Sequence, residues 1–382
     1  MAEEADARDP GLKGPSCDEN VDAGDSTAAG KSGLIASTPE RTCFIVSTDE
    51  AHEFFDSGNQ ATPDMLECDS AMNPTFQPIA GAADPVELAA EIAQLMKRGP
   101  LATQGRLDVF LAAAWEIPAM LHEIGRLREV AFRAVGEGTG KPLDLDPFDA
   151  SYLHLFLWDR EAGRVAGGYR LGCTDVLLAA GGPGALYTST LFHFEQPFLD
   201  YLRPALELGR SFVAPEYQKS IHPLALLWRG IGRFVAERPR YARLFGPVSI
   251  SSDYTAASQD LIVRFLRDRR QDEAISRWVR PLHPYGGLPE GSDISPCLQS
   301  IEEVSAAVAA AEPDHKGVPV LLRQYLKLNA TLLEFNVDPD FSDVLDALVL
   351  VDLRQAPAAV LARYMGEEGY EAFMRAAMPR VA

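Results

Sequence analysis

Four short segments hold carboxylates and guanidinium groups at close spacing. Leu127-Arg-Glu-Val-Ala-Phe132 carries Arg128 and Phe132, and Asp146-Pro-Phe-Asp149 carries two acids three apart. Val165-Ala-Gly-Gly-Tyr-Arg170-Leu171 nearly ends on an arginine, and Glu207-Leu-Gly-Arg210 sets an acid three residues before another. A carboxylate can act as general base, and an arginine fork can hold a substrate carboxylate at two points. Arg128, Arg170 and Arg210 are natural partners for Asp146 and Asp149. Two readings stay open: a structural ion-pair network, since buried charges must be paired, and direct contact with a substrate. If 205–213 is a strand, alternation sets Glu207 and Gly209 on one face and Leu208 and Arg210 on the other. A bulge at Gly209 would turn both charges toward one cleft.

Other chemistries are poorly served. Val135-Gly-Glu-Gly-Thr-Gly-Lys141-Pro142 has Val where a phosphate loop needs its first Gly, and Pro where it needs Ser or Thr. Gly181-Gly-Pro-Gly184 lacks the third glycine of a dinucleotide turn. The five cysteines (17, 43, 68, 173 and 297) stand singly, and the histidines form neither HxxH nor HExxH, so no metal is expected. There is no GxSxG elbow, and Ser251 has no evident base. The net charge of −20 speaks against a nucleic-acid partner. Much of it lies in residues 1–90, which hold eighteen Asp and Glu against four Lys and Arg. Residues 1–84 therefore read as an acidic, disordered leader, and 85–382 as the folded domain. With no apolar run of ~20 residues and no signal sequence, a cytoplasmic protein is expected.

Positioning these groups requires strands and helices in irregular alternation. Leu107–Ala113, Leu153–Trp158, Val165–Leu171, Ala205–Val213, Leu244–Ile250, Leu332–Phe335 and Val344–Leu353 read as strands. Leu121, Ile124, Leu127, Val130 and Ala131 recur at helical steps and predict a helix from Pro118 to Val135. Further helices are expected at Val86–Lys97, Leu186–Phe194, Phe198–Leu202, Pro223–Val235, Asp260–Arg269, Val320–Leu328, 357–365 and 367–377, with loop at 281–297. The pattern predicts an α/β fold: a mixed sheet with helices on both faces.

Together, the order and spacing of the four segments resemble the acyl-carrier-protein-dependent branch of the GNAT acyltransferases, which includes the acyl-homoserine-lactone synthases. Gly136-Glu-Gly-Thr-Gly-Lys141, Leu206-Glu-Leu-Gly-Arg-Ser-Phe-Val213, Phe245-Gly-Pro-Val-Ser-Ile-Ser251 and Val318-Pro-Val-Leu-Leu-Arg-Gln-Tyr325 are similar to the ornithine-lipid synthases and hemolysin-like N-acyltransferases. The resemblance spans roughly 105–355. It implies a GNAT fold with an extended helical C-terminal part, in which two strands splay beside Gly209 and a thioester lies between them. It further implies transfer of a long-chain, 3-hydroxy or plain, fatty acyl group to the amine of an amino acid such as ornithine or glycine, toward an aminolipid. Glu207 is then the expected base, with Asp149 and Arg170 as catalytic partners. Arg128, Phe132, Asp146, Arg210 and Phe212 would bind substrate.

The CoA-type loop is replaced by Tyr217-Gln-Lys-Ser-Ile-His-Pro-Leu224, without glycine. The expected donor is therefore acyl carrier protein, with acyl-CoA second, and no tightly bound cofactor. Lys219, Arg229, Arg233 and Arg240 are the expected dock for that acidic carrier. The apolar 223–235 segment also suggests transient, peripheral contact with the inner face of the membrane. The alternatives are a homoserine-lactone-type synthase and a non-catalytic lipid- or carrier-binding module.

Overall fold

Along one central strand, Leu155 and Leu157 enter one apolar core while Phe156 and Trp158 enter another. This two-residue period means that the strand is buried on both faces, so helices must cover both. The computed structural model describes residues 76–287 and 298–377. Most of the acidic leader, and much of the 281–297 loop, therefore lie outside the described residues.

Ten strands are described: β1 (Ala102–Gln104), β2 (Leu107–Ala113), β3 (Leu153–Asp159), β4 (Arg164–Cys173), β5 (Phe192–Phe194), β6 (Leu206–Val213), β7 (Arg243–Ile250), β8 (Val279–Pro281), β9 (Thr331–Asp338) and β10 (Val344–Asp352). Eight form one sheet in the order β1-β2-β3-β4-β6-β7-β10-β9, and β5 pairs with β8 apart from it. Neighbours run antiparallel except β6 and β7. The helices His222–Glu237 and Ala256–Arg270 pack on one face, and Pro85–Leu95 and Pro118–Arg133 on the other. The sheet is thus α/β and mixed, as the sequence predicts.

Two details differ. The 186–194 segment is not a helix: a 3-10 turn at Tyr187–Thr190 leads into the short strand β5. Its alternating Phe192 and Phe194 are buried on either side of exposed His193, a strand pattern too short to outweigh the surrounding apolar run. The Ile301–Ala311 helix, opened by a Ser300–Glu303 capping box, is additional to the elements expected.

The parallel pair is the least regular part of the sheet. β6 and β7 are in register only at Leu206–Leu244 and Glu207–Phe245, and beyond that the two strands part. They touch closely once more, where a methyl on Gly246 would collide with the Leu208 carbonyl oxygen, so glycine is required there. On the other side of β6, the ladder to β4 passes from Arg170–Gly209 to Gly168–Phe212. Arg210 and Ser211 are thus the bulge, one step beyond the expected Gly209. Arg210 takes a left-handed φ of 49°, a conformation that costs a non-glycine residue and persists only where its surroundings fix it.

Candidate active site

What fixes Arg210 is a lattice of three arginines and three aspartates. Arg128 Nε meets Asp144 Oδ2 at 2.9 Å and its Nη1 meets Asp149 Oδ1 at 2.8 Å. Arg170 Nη1 lies 2.6 Å from Asp146 and 3.3 Å from Asp149. Arg210 reaches Asp144 at 3.2 Å and Asp146 at 3.4 Å, and donates to the Tyr187 hydroxyl at 2.9 Å. The loop is built for this role: Asp146 accepts from Phe148 N, and Asp149 accepts from Asp146 N, a reciprocal cap around Pro147. Burial would raise the Asp149 carboxyl, but Arg128 and Arg170 outweigh it and hold the group down at about 2. Asp144 is likewise held low by Arg128 and Arg210 against its burial.

Glu207 is buried, at 1 % exposure, on the opposite side of β6 from Leu208. It accepts from the Tyr152 hydroxyl and, at 2.6 Å, from Thr188 N. Tyr152 in turn accepts from Tyr187 N at 2.8 Å. Burial pushes the Glu207 carboxyl up. These contacts make it the anchor of the 187–190 turn, whose Tyr187 holds Arg210.

Where β6 and β7 part lies a cavity of about 80 Å³. Its walls are Leu208 to Ser211 of β6, Pro247 and Ser249 of β7, and Tyr187 and Phe132 above them. Arg210 supplies the cation. Glu137, Asp338 and Asp346 supply carboxylates that the sequence reading did not single out. Ser249 Oγ donates to Asp346 at 2.8 Å, yet burial, reinforced by Asp338, pushes Asp346 up to about 7. Burial and the nearby Asp346 push Glu137 up to about 8, and its buried Oε1 has no hydrogen-bond partner. Burial also raises Asp338. A signal for one of these was present: Asp346 is a charge inside Val344–Asp352, an otherwise nearly unbroken apolar strand.

Of the residues singled out from sequence, Phe132 and Arg210 line this cavity; Glu207, Asp149, Arg170, Arg128, Asp146 and Phe212 do not. Phe212 packs in the core beside Phe156 and Trp158. Arg229, Arg233 and Arg240 share one large groove, whereas Lys219 lies in a separate depression with Arg106 and His222, toward the other end of the His222–Glu237 helix. The 136–141 glycine loop is closed around Glu129, which accepts from Thr139 N, Thr139 Oγ1 and Gly140 N. Those amides are occupied by a carboxylate of the same chain, in keeping with the failed phosphate-loop pattern.

The GNAT acetyltransferase domain matches residues 127–229, the span from Arg128 through the bulged β6 to the following helix. A glycine N(alpha)-acyltransferase of Bacteroides thetaiotaomicron is 34% identical over 264 residues, covering 64% of this chain and 77% of that protein. One from Phocaeicola vulgatus is 30% identical over 294 residues, covering 70% of this chain and 89% of that protein. The chain belongs to the GNAT N-acyltransferases. Among solved structures, a CoA-dependent acyl-homoserine lactone synthase bound to SAM and isopentyl-CoA aligns at 13% identity and a TM-score of 0.33, over 68% of this acyltransferase and 88% of that chain.

For a GNAT N-acyltransferase the parted strands have a direct chemical meaning. A thioester can lie against backbone left free by the separation, and a bulge removes its extra residue from the ladder. Amine attack then needs an anion hole and a proton acceptor nearby. The cavity brings a bulged backbone, one cation and three carboxylates of raised basicity to one place. Among the described residues, no helix is long and apolar enough to cross a membrane.

Proposed function

We propose that this enzyme transfers a fatty acyl group from a carrier-bound thioester to the α-amine of a small amino acid, glycine first among candidates. The observation that carries the reading is the small cavity between β6 and β7, with Arg210 on one wall and Asp346 and Glu137 on another. A zwitterionic amino acid needs that pairing, a cation for its carboxylate and an anion for its ammonium. The cavity is narrow, at about 80 Å³, which favours an acceptor without a side chain over ornithine. The names of the two curated relatives favour glycine as well.

In this mechanism Asp346 takes a proton from the ammonium. The freed nitrogen attacks the thioester carbonyl, whose oxygen gathers charge against the N–H groups of Arg210 and Ser211. The C–S bond then breaks: Asp346 returns its proton to the departing thiolate and takes up the second proton from the nitrogen, so an amide and a thiol remain and the last proton passes from Asp346 to solvent. Arg128, Arg170, Asp144, Asp146, Asp149 and Glu207 are positioning residues that hold Arg210 and the Tyr187 turn.

The donor is a carrier-protein thioester rather than free acyl-CoA, because the 217–224 stretch has no glycine to bring its backbone against a pyrophosphate. Lys219, beside the start of the 222–237 helix, is the basic contact that fits an acidic carrier there, since Arg106 in the same depression is paired with Asp159 at 2.8 Å. The test incubates the enzyme with acyl carrier thioester or acyl-CoA and with glycine or ornithine, and weighs the products by mass spectrometry. N-acylglycine from the carrier thioester is expected. No amide from any amino acid would remove the proposal; ornithine preferred over glycine would remove its account of the acceptor.

A further inference from the structure

A groove of about 1030 Å³ shares no lining residue with the cavity. It is lined by Arg98, Arg229, Arg233, Arg238, Arg240 and Arg363, against two glutamates, Glu116 and Glu237. Some of these cations are spoken for: Arg98 binds Glu116 at 2.6 Å, and Arg233 and Arg238 share Glu237 at 3.1 and 3.3 Å. Among the described residues, Arg229 and Arg363 have no acidic partner. In a chain of net charge −20, such a concentration of positive charge marks a surface made for an anion.

The rim adds a second feature. Trp115, next to Glu116, is 82% exposed, the most exposed large apolar side chain described. Val176, which lines the groove, and Met96, two residues before Arg98, are exposed too. The apolar side chains of the 223–235 segment, by contrast, are buried: Leu224, Leu227, Trp228 and Phe234 face the core, so that segment has no apolar face to offer a bilayer. An indole and aliphatic groups beside arginines match the headgroup region, where rings sit at the interface and cations meet phosphates.

We infer that this groove docks the enzyme on an anionic phospholipid surface, with arginine contacts to headgroup phosphates and Trp115 inserted at the interface. An acidic carrier protein fits less well. Exposed aliphatic and indole groups ask for an apolar layer, and the groove's outer arginines lie at the far end of the 222–237 helix from Lys219. At 1.5 Å per residue that helix alone spans about 24 Å. Docking here would keep the enzyme at the membrane while leaving the 217–224 side open to the donor.

The experiment sediments the full chain with vesicles of phosphatidylcholine alone or mixed with phosphatidylglycerol. Binding to the anionic vesicles, lost in high salt and absent from neutral ones, is expected. Each basic contact removed should weaken binding roughly fivefold, so Arg229→Gln with Arg363→Gln should weaken it about 25-fold. Melting temperature checks that the double variant is folded. A readout on unaltered protein guards against misfolding: tryptophan emission should shift to the blue on anionic vesicles, and Trp115→Phe should abolish the shift. Equal binding to neutral vesicles, unchanged binding by the folded double variant, or a shift that survives Trp115→Phe would overturn the inference. So would a double variant that keeps its vesicle binding but loses affinity for acyl carrier protein.

Discussion

Replacing Asp346 with Asn should separate activity from stability in opposite directions. In the folded chain the carboxyl sits at about 7 against an ordinary 3.8, because burial and the nearby Asp338 outweigh the hydrogen bond from Ser249. A carboxyl whose value is raised by folding is stabilising while protonated; that contribution is complete below about 4 and gone once pH passes 7. At pH 8 the fold therefore bears an ionised group in an apolar wall. At 1.36 kcal/mol per pH unit, the difference of about three units sets a ceiling of roughly 4 kcal/mol. Asn keeps the shape and the contact to Ser249 but never ionises. The variant should melt at a higher temperature than wild type at pH 8 and near the wild-type temperature at pH 4. Its kcat/KM should fall by about 10²–10⁴, the usual worth of a positioned base, and lose the rise through pH 7. Thermal melts at both pH values and a pH–rate profile with a soluble thioester read these quantities. A variant that keeps both its rate and the pH 7 limb would refute the assignment of Asp346 as proton acceptor. A melting shift of the same size at both pH values would refute the linkage argument.

Further outcomes follow from the same geometry. Gly246→Val drives a side chain into the Leu208 carbonyl, so it should cost about 1–3 kcal/mol in a denaturant melt and depress kcat/KM by altering the gap between β6 and β7. Glu207→Gln turns an amide hydrogen toward Tyr152 or Thr188, so stability should fall by about 1–3 kcal/mol and KM should rise. Its pH–rate limb should nevertheless match wild type if Asp346, as proposed, takes the acceptor's proton. Arg128→Ala leaves Asp144 and Asp149 as under-paired buried anions and should cost about 3–5 kcal/mol at pH 7. Because Asp149 is held at about 2, that penalty should be present above pH 4 and shrink as acid protonates the carboxyl, which melts at pH 7 and pH 3 would show.

The long strands and helices were legible because their burial patterns are periodic: Leu107–Ala113 has the predicted bounds, and β6 differs by one residue. The arginine and aspartate lattice was legible as a set of natural partners, but its geometry was not. Alternation alone could not place Arg210, because a bulge with a left-handed residue resets the period, and side chains elsewhere stabilise that conformation. For the same reason, sequence puts Glu207 on the parted strand without telling which face the cavity occupies. Asp338 and Asp346 come from strands more than 100 residues past the GNAT domain match, so only the pairing of β10 with β7 brings them in. No local pattern encodes that contact.

That pairing has a consequence for how the enzyme comes to life on the ribosome. The lattice and the bulged strand are translated early, but the wall bearing the proton acceptor is translated among the last, with β10 ending at Asp352. On the proposed mechanism, the chain lacks its proton acceptor until β10 docks between β7 and β9. Synthesis arrested before that point would leave β7 without its antiparallel neighbour and the cavity without Asp346.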